Sequence, residues 1–537
     1  MQELGILARI ALFALQALKI VGKVLLFFGF AWFLIPIGLA ELVMKITGIP
    51  FFSDRMNPIL FFLINDVAFY MACVLAVLTT IQNIVRTVTK DRTFSIYRWI
   101  FEFGKKKKKG FVAKTDNTNI TAQSHREVSG FVFGKDKGEY ITKPEETDGH
   151  ILVVGGAGSG KSSGIAIPTL KSWKGRVFAI DIKGELYEKT SHNRGQDKIR
   201  VFNPTDRSAC NYDPYYMLRH TDDISADARE LALSICPLPP DTKEPFWIKS
   251  AQDMLTGFIL YFCQQGKDFS TTMREIKIRP VSELVDEIMS SSCDKAKLEI
   301  SQFKDMDGKT LSGVFTEVSN HITVFATNDD LQRALSYSGT AITPNDLENG
   351  FDVYCCIPEH KLEQWKDLLA MMCNQFLKSF ERRSEQCQTP ILCLIDEFAR
   401  LGKIESITNG LATLRSKKIH IALFVQSKSQ LNVNYGKDVA EVIADNCSYK
   451  AILKASEPTT QEWCSKLVGT YDKLKKSNSY NADILGIGKG QGTSTTTEDK
   501  PIIKPEEFAY LNDIVCLFPN GYRRIQKIRY WEDKAFS

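Results

Sequence analysis

The octapeptide Gly155-Gly-Ala-Gly-Ser-Gly-Lys-Ser162 constrains this chain more than any other stretch. It follows His150-Ile-Leu-Val-Val154, a short apolar run of strand character, and leads into the apolar Ile165-Ala-Ile-Pro-Thr-Leu170. The octapeptide meets the Gly-x-x-x-x-Gly-Lys-Ser/Thr phosphate-loop pattern in full. Its glycines let the backbone curl until several N–H groups face one anion, and the following helix aims its positive end at the same point. The pattern predicts that Gly155, Gly156, Ala157, Gly158, Ser159, Gly160, Lys161, Ser162 and Ser163 line a nucleotide site for ATP. Lys161 reaches the β- and γ-phosphates and the Ser162 hydroxyl serves Mg²⁺. The competing reading, a plain glycine-rich turn, explains neither the strand before the loop nor the apolar run after it.

A phosphate loop needs a carboxylate at the end of a neighbouring strand. Pro390-Ile-Leu-Cys-Leu-Ile-Asp396-Glu397 supplies five apolar residues, as a buried parallel strand would, and two acids at its C-terminal end. Asp396 is expected to hold the Mg²⁺ shell and Glu397 to polarise the attacking water; the rival is a helix start with Asp396 as its cap. Further strands are expected at Arg176–Ile180, Phe351–Ile357, Ile419–Val425, Tyr449–Leu453 and Ile514–Phe518. They alternate with helical stretches, which predicts an α/β fold around a mostly parallel sheet. The run Ile419–Val425 ends in Gln426, a polar group placed as a γ-phosphate sensor would be. Arg415, just before that run, has two readings: a solvated helix end, or an arginine that stabilises transition-state charge on a neighbouring subunit's nucleotide.

Charge and hydropathy separate the first part of the chain from the rest. Val24–Ala40 and Val67–Val85 carry no charged residue, and each, with its flanks, is long enough to cross a hydrocarbon core of about 30 Å. Two transmembrane helices are therefore expected, at about 24–44 and 60–85. Residues 1–110 hold 14 Lys/Arg against 6 Asp/Glu, so the overall charge of +5 belongs to this segment and is no sign of a DNA-binding body. Basic residues before the first run and after the second, including Lys105–Lys109, place both termini and the main domain in the cytoplasm. The 13 cysteines form no Cys-x-x-Cys pair and suit a reducing compartment, with neither a disulfide framework nor a zinc site. The Lys, Asn, Gly, Ser and Thr-rich stretch Tyr471–Lys500 reads as a flexible loop.

Several longer stretches resemble the TraG-type coupling proteins of type IV secretion systems. They are GGAGSGKSSGIAIPTL at the phosphate loop, AIDIKGELYEKT at 179–190, FNPTDRSACNYDPY at 202–215, Pro245–Trp247, LIDEFARLGKIESI at 394–407, Arg415, and QSKSQLNVNYG at 426–436. The resemblance covers most of residues 148–537. It implies a RecA-like P-loop NTPase domain of the FtsK/HerA class with an inserted all-α domain, working as a homo-hexamer at the bacterial inner membrane. It also implies that Arg415 acts in trans. The division that follows is a membrane anchor and basic linker at 1–110, a first part of the nucleotide-binding domain at 111–217, the all-α insert at 218–310, and a second part at 311–537. The function implied is an ATPase that recruits a relaxase–DNA complex, effector proteins or both and delivers them to the secretion channel; the place of the insert outside the core strands and its mixed charge suit it to choose the cargo, the alternative being a rigid spacer that widens the ring mouth. The alternatives are a membrane-tethered DNA translocase for segregation and an ATP-binding docking scaffold with little turnover.

Overall fold

A computed structural model of the chain describes residues 121–123, 128–240, 242–337, 341–387, 389–481 and 490–537. The chain divides into two compact units, Met1–Lys109 and Gly110–Ser537, and the first lies wholly outside the described residues. The expected spans at 24–44 and 60–85 and the basic linker fall there. Among the described residues no helix is long and apolar enough to cross a membrane.

The second unit is built on a nine-stranded sheet. Its strands in chain order are β4 (Ile151–Val154), β5 (Arg176–Asp181), β6 (Ile199–Phe202), β7 (Asp352–Cys356), β8 (Ile391–Ile395), β9 (Ile419–Val425), β10 (Tyr449–Ile452), β13 (Ile514–Phe518) and β14 (Gly521–Ile525). Before them, β1 (Thr121–Gln123), β2 (Phe131–Asp136) and β3 (Glu139–Lys143) form a small antiparallel sheet. The large sheet runs β14-β13-β10-β4-β9-β8-β5-β7-β6. Every pairing from β10 to β6 is parallel, while β13 is antiparallel to both β10 and β14. The sheet is thus mixed with a parallel majority, in line with the α/β fold expected from the alternation of strands and helices.

The apolar runs are continuous because both faces of the sheet are covered. Leu152, Val154, Phe178, Ile180, Ile391, Cys393 and Ile395 enter one core, and their neighbours Ile151, Val153, Val177, Ala179, Leu392 and Leu394 enter the other. The second face is covered by the helix after the phosphate loop, α1 (Ile167–Ser172), and by α2 (Glu185–Arg194). The first face carries the longer helices, and the Phe178 ring stacks on Phe376 at 4.0 Å between centroids.

Between β6 and β7 the chain is helical. Its main helices are α3 (Ile224–Ile235), α4 (Phe246–Gln264), α5 (Phe269–Ile278), α6 (Val281–Ser290), α7 (Asp294–Ile300) and α8 (Gly308–Thr327). Acid caps start several of them: Asp223 accepts from the Ala226 N–H at 3.1 Å, Asp268 from Thr271 at 2.9 Å and Asp307 from Thr310 at 3.2 Å. Helix α4 is buried along most of its length, and Gly257 lets Ile300 of α7 come close, since a Cβ there would stand 2.5 Å from the Ile300 Cγ1. The expected limit of the insert at residue 310 falls inside α8, which packs on α4 and α5; the helical stretch runs on to Glu348, before β7.

The stretch 471–500 corrects a sequence expectation. Its described parts are β11 (Thr470–Asn481) and β12 (Gly490–Pro501), paired as an antiparallel ribbon in register from Thr470 opposite Pro501 to Asn481 opposite Gly490. Backbone pairing needs no apolar alternation, so a polar composition does not exclude a ribbon.

One buried charge pair ties β7 to the second face. Asp352, fully buried, accepts from the Val177 N–H at 2.9 Å and from Arg194 Nε at 2.6 Å. Arg194 also donates to the carbonyls of Leu170, Trp173 and Gly175. Replacing Asp352 by Ala leaves a buried guanidinium without its counter-charge. The expected cost is about 3–5 kcal/mol, read as a lower urea midpoint at unchanged denaturant slope.

Candidate nucleotide site

The C-terminal ends of β4, β9 and β8 lie side by side, and the predicted residues gather there. The loop after β4 is closed onto its neighbours: the Gly155 N–H donates to the Val425 carbonyl at 3.0 Å and the Gly156 N–H to the Lys454 carbonyl at 2.8 Å. Gly158 and Gly160 take φ of 67° and 95°, the left-handed region that favours glycine. Gly155 has no room for a side chain, because a Cβ would meet Ser159 Oγ at 2.5 Å and Leu453 Cβ at 2.9 Å. A π-helical turn, Ser162–Ala166, carries the chain from Lys161 into α1. Lys161 is buried and folds back on its own loop, donating to the Gly155 carbonyl at 2.6 Å. Burial lowers its pKa, and Glu397 and Asp396 oppose that shift. The Ser159 hydroxyl is buried with no hydrogen-bond partner.

Asp396 and Glu397 stand at the end of β8. Asp396 is buried; desolvation, then the charge of Glu397, push its pKa up to about 7, with Lys161 pulling the other way and Asp181 adding to the rise. Glu397 adopts φ of +50°, rare for a residue with a side chain, and its N–H donates to Asp396 Oδ1 at 3.1 Å. Its Oε2 accepts from Gln426 Nε2 at 2.7 Å. The sequence alone puts Glu397 and Gln426 at the ends of separate strands and does not show this bond. It also gave Asp181 no role. Asp181 ends β5 as Asp396 ends β8, is buried, and accepts from the Tyr187 N–H at 2.8 Å where α2 begins. Its signal in the sequence is the same apolar run closed by an acid.

Among the described residues no three His, Cys, Asp or Glu side chains gather to hold a metal ion by themselves; Asp396 with the Ser162 hydroxyl suits a hard divalent cation that keeps waters and phosphate oxygens as its other ligands. Burial first, and then the charge of Glu397, raise Asp396 to about 7, and a cation bound beside Asp396 would offset both. The orphaned Ser159 hydroxyl and the phosphate-loop N–H groups offer complementary donors for an anion.

Arg415 stands elsewhere. It lies in the turn Leu414–Lys417 before β9, at the opposite end of that strand from Gln426. The strand's length, about 23 Å, separates it from the phosphate loop of its own chain. Its guanidinium donates to the Asn446 carbonyl at 2.6 Å, and its Nε is buried without a partner.

The raised pKa of Asp396 makes stability depend on pH. Its folded value lies above the unfolded one, so its contribution is fully present below about pH 4 and is lost as pH rises through about 7. Asn at this position cannot ionise. Asp396→Asn should therefore stabilise the ligand-free chain by about 2–4 kcal/mol at pH 8 and far less at pH 5, measured by thermal unfolding at both values.

Comparison with known proteins agrees with this geometry. The family model described as "Type IV secretory system Conjugative DNA transfer" matches residues 102–537. Protein VirD4 of Agrobacterium fabrum is 26% identical over 450 residues, covering 77% of this chain and 64% of that protein. Conjugal transfer protein TraG of the same organism is 24% identical over 391 residues, covering 69% and 58%. The chain thus spans less than two thirds of the length of these curated relatives. The solved structure of the bacterial conjugative coupling protein TrwBdeltaN70 superposes with a TM-score of 0.60 at 18% identity, over 75% of this chain and 88% of that one. The plasmid coupling protein TrwB in complex with ADP and Mg²⁺ gives 0.57 at 18%, over 71% and 85%. These two share the fold, and with the model match across the whole second unit, the chain belongs to the type IV secretory system conjugative DNA transfer family.

Proposed function

We propose that this chain is the coupling ATPase of a type IV secretion system: it hydrolyses ATP at the β4–β9–β8 edge and uses the energy to pass cargo to the secretion channel. The observation that carries the reading is the Glu397–Gln426 hydrogen bond of 2.7 Å at the strand ends beside the phosphate loop. It puts a carboxylate able to accept a proton next to an amide able to sense a phosphate. The family match supports conjugative transfer over the segregation translocase and the inert scaffold.

In this reading the loop Gly155–Ser163 wraps the phosphates, with N–H groups beyond Gly156 facing them, and Lys161 leaves the Gly155 carbonyl to meet the β- and γ-oxygens. Ser162 and Asp396 would hold Mg²⁺, which supplies positive charge against the phosphates when bound. Glu397 takes a proton from the water that attacks the γ-phosphorus, and the bond from that phosphorus to the β–γ bridging oxygen breaks as the new bond forms. Gln426 contacts the γ-phosphate and in doing so releases Glu397. Arg415, distant from its own phosphate loop, serves a neighbouring copy in a homo-hexamer. Two spans at 24–44 and 60–85 anchor the ring at the inner membrane, with the main unit cytoplasmic. The partners are the channel proteins and a relaxase–DNA complex, effector proteins or both; the helices between β6 and β7 receive them.

Two measurements test this. Glu397→Gln should retain ATP binding while its turnover falls at least about 100-fold; wild-type turnover would remove Glu397 from the role of base. Arg415→Ala subunits mixed into wild type should depress hydrolysis beyond their share. A loss strictly proportional to the mutant fraction would show that each copy hydrolyses alone.

A further inference from the structure

The acidic end of the site fixes which way a nucleotide must lie. Asp396, Glu397 and Gln426 close β8 and β9, on one side of β4. A triphosphate on Gly155–Ser162 with its γ end toward them sends its nucleoside to the other side of β4, where the sheet continues as β10, β13 and β14. There the loop after β10 meets the phosphate loop, with Ser456 Oγ 3.5 Å from where a Gly156 Cβ would stand.

The chain after β14 crosses the first turn of the phosphate-loop helix on this side. The Tyr530 N–H donates to the Ser163 carbonyl at 3.3 Å. A Cβ at Gly164 would stand 2.9 Å from the Ile528 carbonyl oxygen, so the missing side chain admits the crossing. Several contacts hold the segment in place. Asp533 is buried, accepts from the Tyr140 hydroxyl, and pairs with Lys135 at 2.6 Å. Phe536 meets the Tyr140 ring edge-on, and Lys171 donates to the Phe536 carbonyl at 2.6 Å. A segment anchored so firmly still leaves Trp531 53% exposed, edge-on to Tyr530 at 5.0 Å, and Arg529 63% exposed beside Glu532. Burying a large aromatic is favourable, and an indole left in water one residue from the Tyr530–Ser163 bond is available to stack.

We propose that Ile528–Trp531 is the nucleoside wall of the nucleotide site, with Trp531 stacking on the purine base. The inference rests on the phosphate-loop reading above. Stacking on an indole tolerates any purine, because each presents the same flat face. The wall therefore adds affinity without strict choice between adenine and guanine, and GTP should compete with ATP within a few-fold.

The test is calorimetric titration of the full chain with ATP and, separately, with inorganic tripolyphosphate at fixed Mg²⁺. Trp531→Ala should weaken ATP about tenfold or more and leave tripolyphosphate unchanged, while Trp531→Phe keeps near-wild-type ATP affinity. Unchanged ATP affinity in Trp531→Ala overturns the wall. So does an equal loss of both ligands, which would make the segment a prop for the phosphate loop. Lys161→Ala reports on the underlying reading: if it leaves both ligands bound as tightly as wild type, the phosphate site lies elsewhere and the wall falls with it. If Lys161→Ala weakens both while Trp531→Ala changes neither, only the wall is lost.

Discussion

The position of β9 between β4 and β8 is the constraint on which the site depends. Parallel neighbours lie about 4.8 Å apart, so the phosphate loop and the acidic pair are separated by about 10 Å at the sheet edge. That gap suits a phosphate chain with its counter-ion. The register holds the three ends level: Val154 lies opposite Val425, and Leu423 opposite Ile395. Gln426 thus emerges between the loop and Glu397, close enough to bond the latter. Were β4 and β8 direct neighbours, as the sequence alone equally allows, there would be room for neither the phosphates nor a sensing amide.

The same enclosure that builds the sheet sets the chemistry of its edge. Covering both faces removes water from Asp396, Asp181 and Lys161, and each shifts toward its neutral form. A nucleotide would restore the missing charges to both sides at once, phosphates for Lys161 and a cation for the acids. Glu397 sits in a left-handed conformation with its N–H tied to Asp396 and its carboxylate to Gln426. Backbone strain of this kind costs of order 1–3 kcal/mol, and it aims the carboxylate across β9, away from the end of its own strand.

How much of this could be read from the sequence depends on how local each signal is. The phosphate loop and the Asp396–Glu397 strand are local, since seven or eight consecutive residues carry both the element and the chemistry. Strands β9 and β13 are read at their observed ends because apolar runs bounded by polar residues leave no choice of frame. The direction of β13 is not in its composition, and IVCLF reads the same parallel or antiparallel. Strand β6 escapes because three of its four residues are only half-buried at the sheet edge. The pairing of Thr470–Asn481 with Gly490–Pro501 escapes because it is a matter of backbone register. The bond between Glu397 and Gln426 joins residues 29 positions apart and exists only once the strands are ordered. Arg415 was legible as a position, but its attachment to Asn446 was not.

The helical stretch leaves the sheet after β6, at the edge farthest from β14, and returns in β7, so its sequence can change without reordering β4, β9 and β8. It is nonetheless wired to the acidic loop through buried hydrogen bonds. Asn374, buried on the helix Leu362–Glu381, donates to Ser234 Oγ of α3 at 3.0 Å. Its carbonyl oxygen accepts from the Ser406 N–H at 3.0 Å and from Ser406 Oγ at 2.7 Å. Ser406 ends the segment that begins at Glu397. A shift of α3 against Leu362–Glu381 must therefore either carry Ser406 with it or leave buried polar atoms unpaired, at about 1–3 kcal/mol each. Gln375, the next residue, accepts from the Tyr212 hydroxyl and donates to the Pro214 carbonyl at the start of the helical stretch. Asn374 thus joins the helical stretch to the loop after Glu397, Gln375 fixes the start of that stretch on the same helix, and Lys403 of the loop adds a direct bond to the Leu238 carbonyl at 3.2 Å.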